Sequence, residues 1–258
     1  MTFGVPPLKT WSGDTSNRCS FDEILTYWQT HDVITFIIDL GMYHTSLNDF
    51  LDTGEQEQVR KFRTDYFKKR FTVSRSLIRQ ILETILMTEN RADIILLPRN
   101  QGGIVVRGNP EVNISLSYSG TCMALSIGKR KLGCDIEVLR PIDIRKTRSC
   151  PLFDDRNWAD EKERSRNFLH RWTLVEAYAK LHDKNPFSLL NNRVFSEDVH
   201  FVSYCLDQHA IVSLALDSDT LKETLLWLDQ ESCTTHPHCI KNTPCSSTKP
   251  QGAPHVRA

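Results

Sequence analysis

Two groups of ionisable residues stand at spacings that bring side chains together. Asp135 and Glu137 lie two positions apart in the apolar run from Leu132 to Val138, and a β-strand places side chains at that spacing on one face. Glu176 and Lys180 lie four positions apart in a run of helical character, so they share one face of a helix. The pattern predicts a strand carrying two carboxylates, and a helix from Phe168 to Asp183 carrying one acid and one base. The residues 187–190 that follow are expected as a strand.

Two carboxylates on one strand face favour binding of a divalent cation. At about 4 Å they repel by roughly 4 kcal/mol at the effective dielectric near a protein surface, so a cation or a raised pKa must offset the repulsion. Oxygen ligands suit Mg²⁺, with Mn²⁺ as the alternative, and Mg²⁺ completes its coordination with water and substrate phosphates. The plainer interpretation is a solvated strand edge and a surface helix pair, because charged residues are mostly exposed.

The composition is that of an ordinary globular protein. The 258 residues carry 32 basic and 32 acidic side chains, and this balance argues against a nucleic-acid-binding protein. No apolar run reaches the ~20 residues needed to span a bilayer, and Met1 to Ser20 has no apolar stretch typical of a secretory signal. The eight cysteines contain no C-x-x-C pair and are expected to be free thiols. We therefore expect a cytoplasmic monomer that binds neither nucleic acid nor membrane.

A helical stretch from Leu51 to about Thr88 is rich in basic residues. Asp52 and Thr53 are candidate helix caps at its start. A charge run of this kind is usually a solvated face, but on a neutral protein it is also a candidate site for an anionic ligand. The basic residues are Arg60, Lys61, Arg63, Lys68, Lys69, Arg70, Arg75 and Arg79.

Two sequence motifs resemble the signature of a known enzyme family. Gly133-x-Asp135-x-Glu137-x-x-x-Pro141 is followed by Trp172-Thr173-x-x-Glu176-Ala177-x-x-Lys180. Together they resemble the 4′-phosphopantetheinyl transferases, in particular the larger, two-lobed Sfp-type subfamily. The resemblance extends upstream through Ser117-Tyr118-Ser119, which we predict to form a turn between two strands, to the basic helix. It implies an α+β fold with two pseudo-symmetric lobes, each a small, mainly antiparallel sheet packed on helices.

This fold implies a division of the chain into four parts. They are an irregular lead-in at residues 1–20, an N-terminal lobe at 21–127, a C-terminal lobe with the metal motifs at 128–229, and a disordered tail at 230–258. The tail is poor in large apolar residues, as is typical of disorder. Its Cys233, His236, His238, Cys239 and Cys245 match the spacing of no common zinc module.

The resemblance also implies a reaction. A Mg²⁺-dependent enzyme of this family moves 4′-phosphopantetheine from coenzyme A to a serine of an acyl or peptidyl carrier protein and releases adenosine 3′,5′-bisphosphate. Asp135, Glu137 and Glu176 would hold the metal. Glu176 would take the proton of the serine, directly or through a metal-bound water. Lys180 would stabilise the developing charge or protonate the leaving group. The implied coenzyme A ligands are Arg60, Arg63, Arg75, Ser117 and Tyr118.

Three positions depart from the family pattern. Tyr118 stands in place of a His, Val175 in place of a Lys, and Gln101-Gly102-Gly103 in place of Gly-Lys-Pro. We expect altered cofactor affinity with the metal chemistry retained. Two alternatives stay open: a catalytically weak relative that acts as a coenzyme A or carrier-protein binding module, and a Mg²⁺-dependent phosphohydrolase, which leaves the basic helix unexplained.

Overall fold

The structure of the chain is a computed structural model. It describes residues 5–14, 17–43, 50–88, 94–98, 103–143, 160–192, 198–207, 209–218 and 221–228. The helices are α1 (Ile24–Thr30), α2 (Thr53–Lys61), α3 (Asp65–Leu86), α4 (Glu161–Leu181) and α5 (Pro186–Asn192). The strands are β1 (Leu8–Trp11), β2 (Arg18–Cys19), β3 (Val33–Asp39), β4 (Leu96–Pro98), β5 (Gly103–Val106), β6 (Asn113–Ser119), β7 (Cys122–Gly128), β8 (Leu132–Val138), β9 (His200–Leu206), β10 (Ala210–Leu216) and β11 (Glu223–Leu228).

Two sheets organise the protein. One has seven strands in the order β2-β11-β3-β7-β6-β5-β4, and the other has four in the order β1-β9-β10-β8. Most neighbouring strands are antiparallel; β1 with β9, β2 with β11, and β3 with β11 are parallel. Helix α4 packs on β8 and β10, and α3 contributes its apolar face to the core of the larger sheet. The predicted α+β architecture, two sheets packed on helices, is confirmed.

Each sheet contains a strand from the opposite end of the chain. β1, within the first 20 residues that we expected to be irregular, pairs with β9 in the four-stranded sheet. β11, near the end of the expected C-terminal lobe, pairs with β3 in the seven-stranded sheet. Because the two sheets exchange these strands, the chain joins them at more than one point.

Helix α3 buries one long apolar face. Thr64 caps it by accepting a hydrogen bond from Phe67 N. It ends at Leu86, and the next residue, Met87, has the left-handed conformation (φ 50°) that is common after helix ends. The apolar residues recur three or four positions apart, as a helix that covers a core requires. Those on the buried face are Val73, Leu77, Ile78, Ile81, Leu82 and Ile85.

Three local expectations differ from the structure. The motif helix, expected from Phe168, begins at Glu161, because Asp160 caps it by accepting a hydrogen bond from Glu163 N (2.7 Å). Residues 187–190, expected as a strand, lie in α5, where Pro186 occupies the first helical position and needs no N–H partner. Residues 117–119, expected in a turn, belong to β6, and the turn follows at Gly120 (φ 59°).

Within the described ranges, no helix is long and apolar enough to cross a bilayer. The tail with its Cys and His residues, and the Gln101-Gly102 pair, lie outside the described residues.

Candidate functional site

Strand β8 and helix α4 approach each other closely at Gly133. A Cβ atom at this position would overlap the carbonyl oxygen of Ala177 and lie 2.6 Å from Leu181 N. Only glycine leaves room for backbones at this distance. The close approach allows side chains of the two elements to meet directly.

Lys180 of α4 lies between two carboxylates. Its Nζ atom donates hydrogen bonds to Asp135 Oδ1 (2.8 Å) and to the carbonyl oxygen of Cys134 (3.0 Å), and it lies 3.8 Å from Glu176 Oε2. Asp135 is only 2% exposed. Burial opposes the charged form of Lys180, but Asp135, together with Cys134 and Glu176, outweighs this and raises the pKa of Lys180. The ammonium is therefore a fixed positive charge at neutral pH.

Glu176 has an unusually high proton affinity for a carboxylate. Burial raises its pKa to about 7, the negative charge of Asp135 adds to the effect, and the Lys180 ammonium opposes it. A carboxylate that titrates near neutrality can both take and return a proton at physiological pH. Glu176 therefore has the properties of a general base.

Serines of β6 hold the carboxylate strand β8 in place. Ser115 and Ser117 lie on the same face of β6 because they are two positions apart. Ser115 Oγ accepts a hydrogen bond from Cys134 N (3.0 Å), and Ser117 Oγ donates one to Asp135 Oδ1 (2.6 Å). These bonds connect the seven-stranded sheet to the edge of the four-stranded sheet and fix the Asp135 carboxylate.

Glu137 is held by a separate set of partners. Its Oε2 atom accepts hydrogen bonds from Ser119 Oγ (2.8 Å) and Arg140 Nη1 (2.6 Å). Arg140 also lines a cavity of about 520 Å³, together with Ser165 and Arg166. The Glu137 carboxylate is thus paired with Arg140 beside this cavity, whereas Asp135 and Glu176 share Lys180.

The three carboxylates have the oxygen ligands that a divalent cation binds, but they are not all placed around one point. In the described part of the chain, no group of three or more His, Cys, Asp or Glu side chains is placed to hold a metal ion. However, Asp135 Oδ2 is buried and has no hydrogen-bond partner among the described residues, and carboxylate oxygens are the ligands that Mg²⁺ prefers. Asp135 and Glu176 therefore suit a cation, and Glu137 would join them after it leaves Arg140.

A second cavity, of about 370 Å³, opens beside Lys180. Three cations and three hydroxyl-bearing residues from three different elements converge there. The described residues that line it include no carboxylate, so it is an electropositive pocket suited to an anionic ligand. The polar residues of its lining are Arg70, Ser74, Arg75, Ser117, Tyr118 and Lys180.

Arg75 has an unsatisfied hydrogen-bond donor at this cavity. Its Nη1 atom is buried and has no hydrogen-bond partner in the described ranges, and its Nε lies 3.9 Å from Glu55 Oε1. Burial lowers the pKa of Arg75, opposed mainly by the Glu55 carboxylate. Glu55 is itself bound more tightly by Arg79, whose Nε donates to Oε2 at 2.9 Å. An anion in the cavity would satisfy the free Arg75 donor, which is costly to leave buried and unpaired.

The other two candidate arginines lie apart from the cavity. Arg60 is exposed on the last turn of α2, and Arg63 is exposed in the connection between α2 and α3. Neither is among the described residues that line the cavity. The structure thus brings Arg75, Ser117 and Tyr118 together with Lys180 and leaves Arg60 and Arg63 at the surface.

Two positions of the helix motif have packing roles. Val175 is 1% exposed and lies in an apolar cluster with Tyr178, Ala179 and Leu189. The ring of Trp172 lies 5.7 Å from that of Phe187. Val175 therefore contributes to packing between α4 and α5 and does not line the electropositive cavity.

Residues that the sequence did not single out complete the site. Arg70 and Ser74 belong to the cavity wall, and Arg140 holds Glu137. Arg70 is one of several basic residues in α3, and nothing in the local pattern distinguishes it from its neighbours. Its position is visible only when β6 is placed beside α3.

Comparison with known proteins supports the resemblance read from the two motifs. No protein-family model matches the chain. The chain is similar to the 4′-phosphopantetheinyl transferase psf-1 of Bacillus pumilus, with 26% identity over 141 residues, 54% of this chain and 60% of the relative. It is 22% identical to the 4′-phosphopantetheinyl transferase Sfp of Bacillus subtilis (strain 168) over 138 residues, 52% of this chain and 61% of the relative.

A third relative has the same described activity. The 4′-phosphopantetheinyl transferase ffp of Bacillus subtilis is 24% identical over 147 residues, 54% of this chain and 62% of the relative. The chain thus spans about 60% of the length of each of these curated relatives. The predicted similarity to Sfp-type 4′-phosphopantetheinyl transferases is confirmed.

Proposed function

We propose that this protein transfers the 4′-phosphopantetheine arm of coenzyme A to a serine hydroxyl of an acyl or peptidyl carrier protein. One observation carries the proposal: Lys180 belongs both to the carboxylate group of β8 and α4 and to the electropositive cavity. A phosphate-bearing donor in the cavity would therefore present its reacting phosphorus beside Glu176. The named activity of the relatives supports this choice of donor and acceptor.

In the proposed reaction, the serine oxygen of the carrier attacks the pantetheine-side phosphorus of the coenzyme A pyrophosphate. A new O–P bond forms, the bond from that phosphorus to the bridging oxygen breaks, and adenosine 3′,5′-bisphosphate leaves. The serine proton passes to Glu176, a carboxylate whose pKa is raised by burial and by Asp135 in the absence of a metal ion. The Lys180 ammonium, held by Asp135, lies where negative charge would develop.

We assign the metal position to Asp135 and Glu176, with Glu137 as the third ligand. A bound Mg²⁺ would neutralise charge on the pyrophosphate and orient it. The buried and unpartnered Asp135 Oδ2 supports this assignment. Arg140 would keep Glu137 in place until the metal arrives.

We place the acceptor on the side of Glu137. Arg140, which binds Glu137, lines the cavity of about 520 Å³, and Lys180 is not among the described residues of that lining. Donor and acceptor would then reach the carboxylates from separate cavities, as a transfer between two substrates requires. We propose that the protein acts as a cytoplasmic monomer.

The decisive experiment incubates the purified protein with coenzyme A, Mg²⁺ and an apo carrier protein, and follows the carrier by intact mass. Transfer adds one phosphopantetheine group, roughly 340 Da, to the carrier in the metal-assisted reaction. Chelation of Mg²⁺ is expected to stop the transfer. A panel of acyl and peptidyl carrier proteins covers the acceptor classes.

Three outcomes distinguish the proposal from its alternatives. Mass gain on a carrier, lost in Glu176→Gln, supports the transferase. Tight coenzyme A binding with no gain on any carrier would indicate a binding module. Release of phosphate from coenzyme A without a carrier would indicate a phosphohydrolase.

A further inference from the structure

The guanidinium of Arg70 of α3 lies over the ring of Tyr118 of β6. Its guanidinium carbon is 3.9 Å from the centre of the Tyr118 ring and 5.9 Å from the centre of the Phe67 ring. The shorter distance is that of direct contact between two planar groups. A cation over an aromatic face is attracted by the ring quadrupole, and Arg is well suited to this arrangement because its guanidinium is planar.

The stacked guanidinium lacks a carboxylate partner. In the part of the chain that the structure describes, Arg70 takes part in no ion pair, whereas nearby Arg75 faces Glu55 and Arg79 binds both Asp52 and Glu55. Arg70 nevertheless lines the electropositive cavity. A guanidinium carries five N–H donors, and contact with a ring face leaves donors that can bind an anion.

Tyr118 is suited to hold such a cation without competing for the anion. Burial raises the pKa of its phenol, opposed by Ser74 and by the positive charges of Arg70 and Arg75. The ring therefore stays neutral and offers Arg70 an aromatic face. A flexible arginine without this face would lose more conformational entropy on binding an anion, so the ring prepares it for binding.

We propose that Tyr118 is a positioning residue that holds Arg70 against its ring, so that Arg70 binds a phosphate of the ligand in the electropositive cavity. This inference rests on the proposed function for the identity of the ligand, coenzyme A. It assigns a binding role to Arg70 and gives Tyr118 an indirect role in place of direct contact with the phosphate.

The test measures coenzyme A binding by calorimetry in the full chain and in four variants. Arg70→Gln removes the charge and is expected to weaken binding about tenfold, the loss of one charge-assisted contact. Tyr118→Leu removes the ring and should weaken binding to a similar degree. Tyr118→Phe keeps the ring and should recover most of the affinity that Tyr118→Leu loses. The double variant Arg70→Gln/Tyr118→Leu should bind no more weakly than Arg70→Gln alone, because both changes remove the same contact.

A matched control tests whether any stacked cation would have the same effect. Lys129 Nζ lies 5.3 Å from the centre of the Trp28 ring, away from the cavity. Lys129→Gln removes a cation from an aromatic face and is expected to leave coenzyme A affinity unchanged. Thermal unfolding of each variant reports whether a loss of binding follows from a loss of fold.

Titration with 3′-dephospho-coenzyme A identifies the phosphate. If Arg70 binds the 3′-phosphate, the wild-type protein loses affinity for this probe and Arg70→Gln causes no further loss. If Arg70 binds the pyrophosphate, Arg70→Gln weakens binding of both ligands equally. Unchanged affinity in Arg70→Gln, or additive losses in the double variant, would overturn the inference.

The result is separable from the proposed function. If coenzyme A binding depends on Arg70 and Tyr118 but no carrier is modified, the inference about Arg70 stands and the proposed reaction is contradicted. If Arg70→Gln transfers phosphopantetheine at the wild-type rate and with the wild-type KM, the proposed reaction stands and the role of Arg70 is contradicted. Absence of binding of both probes by the wild-type protein would overturn both.

Discussion

The two walls of the candidate site are held by different kinds of contact. The carboxylate wall, formed by Asp135 and Glu137 of β8 and Glu176 and Lys180 of α4, is fixed by hydrogen bonds of 2.6 to 3.0 Å and by the backbone approach at Gly133. The cationic wall, formed by Arg70, Arg75 and Tyr118, relies on a ring stack and on a 3.9 Å ion pair.

This difference suggests that the carboxylate wall serves catalysis and the cationic wall serves ligand binding. In the carboxylate wall, Asp135, Glu176 and Lys180 are already in contact without a ligand, and only Glu137 has to leave Arg140 to join them. Catalytic groups need such placement, because misplaced groups lose transition-state stabilisation. The cationic wall keeps unpaired donors that a ligand would satisfy. Changes in the first wall should therefore lower kcat, and changes in the second should raise KM for coenzyme A.

The largest expected effect is on the carboxylate wall. Glu176→Gln removes the proposed general base and should lower kcat about 10²- to 10⁴-fold, the usual contribution of such a group. Carrier modification followed by intact mass gives the rate. The matched control is Glu57→Gln, an exposed position of α2, which should retain the wild-type rate; full activity of Glu176→Gln would show that the proton is taken elsewhere.

A second change tests whether the backbone approach builds the carboxylate wall. Gly133→Ala forces a Cβ against Ala177 and Leu181 and should lower the free energy of unfolding by about 3 kcal/mol or more, because overpacked backbone contacts relax poorly. Chemical denaturation measures this loss. Gly54→Ala is the control, because its added Cβ meets only Asp52 Oδ1 at 3.4 Å; its stability should change by about 1 kcal/mol at most.

A third change separates the arginines of the cationic wall from those at the surface. Arg75→Gln removes the buried donor and should raise KM for coenzyme A about tenfold, the equivalent of roughly 1.4 kcal/mol. Arg60→Gln and Arg63→Gln change exposed charges and should raise KM less than about threefold, because solvent and salt screen them. Steady-state kinetics with coenzyme A as the varied substrate measures these KM values. Equal increases in all three variants would show that Arg75 is no more important for binding than the exposed arginines.

The smallest effect concerns the stability of the helix behind the carboxylate wall. Burial, with a contribution from Arg166 and Arg171, lowers the pKa of His170 to about 4. The unfolded chain binds a proton near pH 6.5 and the folded chain only near pH 4, so stability is lost as the pH falls through this window. By linkage the loss from His170 is about 2 kcal/mol between pH 7 and 5.

Denaturation at pH 7 and at pH 5 measures this loss. His170→Gln should be less sensitive to the pH change than the wild-type protein by about this amount. His209→Gln, a change at an exposed histidine, should keep the wild-type sensitivity. Equal pH dependence in His170→Gln and wild type would mean that His170 is protonated in the folded state.

Much of the fold is already visible in local sequence patterns. The apolar runs of β3, β7, β8 and β10 have the length and β-branched content of strands, and the capping residue Asp52 marks the start of α2. The start of α4 was misjudged because its first turns, residues 161–167, carry charged residues and no clean apolar stripe. The strand exchange of β1 and β11 was also not foreseen, because pairing between the two ends of the chain leaves no local signal.

The carboxylate wall is the part of the site that local sequence patterns predict. Asp135 and Glu137 share a strand face, and Glu176 and Lys180 share a helix face, because strands and helices have fixed side-chain periods. The residues of both motifs also indicated the family to which the similar curated proteins belong.

The cations that accompany these carboxylates become identifiable only when the helices and strands are packed together. The local sequence does not distinguish the four arginines at positions 60, 63, 70 and 75. Packing of α3 against β6 places Arg70 over the Tyr118 ring, and Arg75 lies beside Glu55. The other two arginines are exposed. The physical reason is distance. The side-chain periods of helices and strands act over a few residues, whereas the contact between Arg70 and Tyr118 joins positions far apart in the chain and forms only when both elements cover the same core.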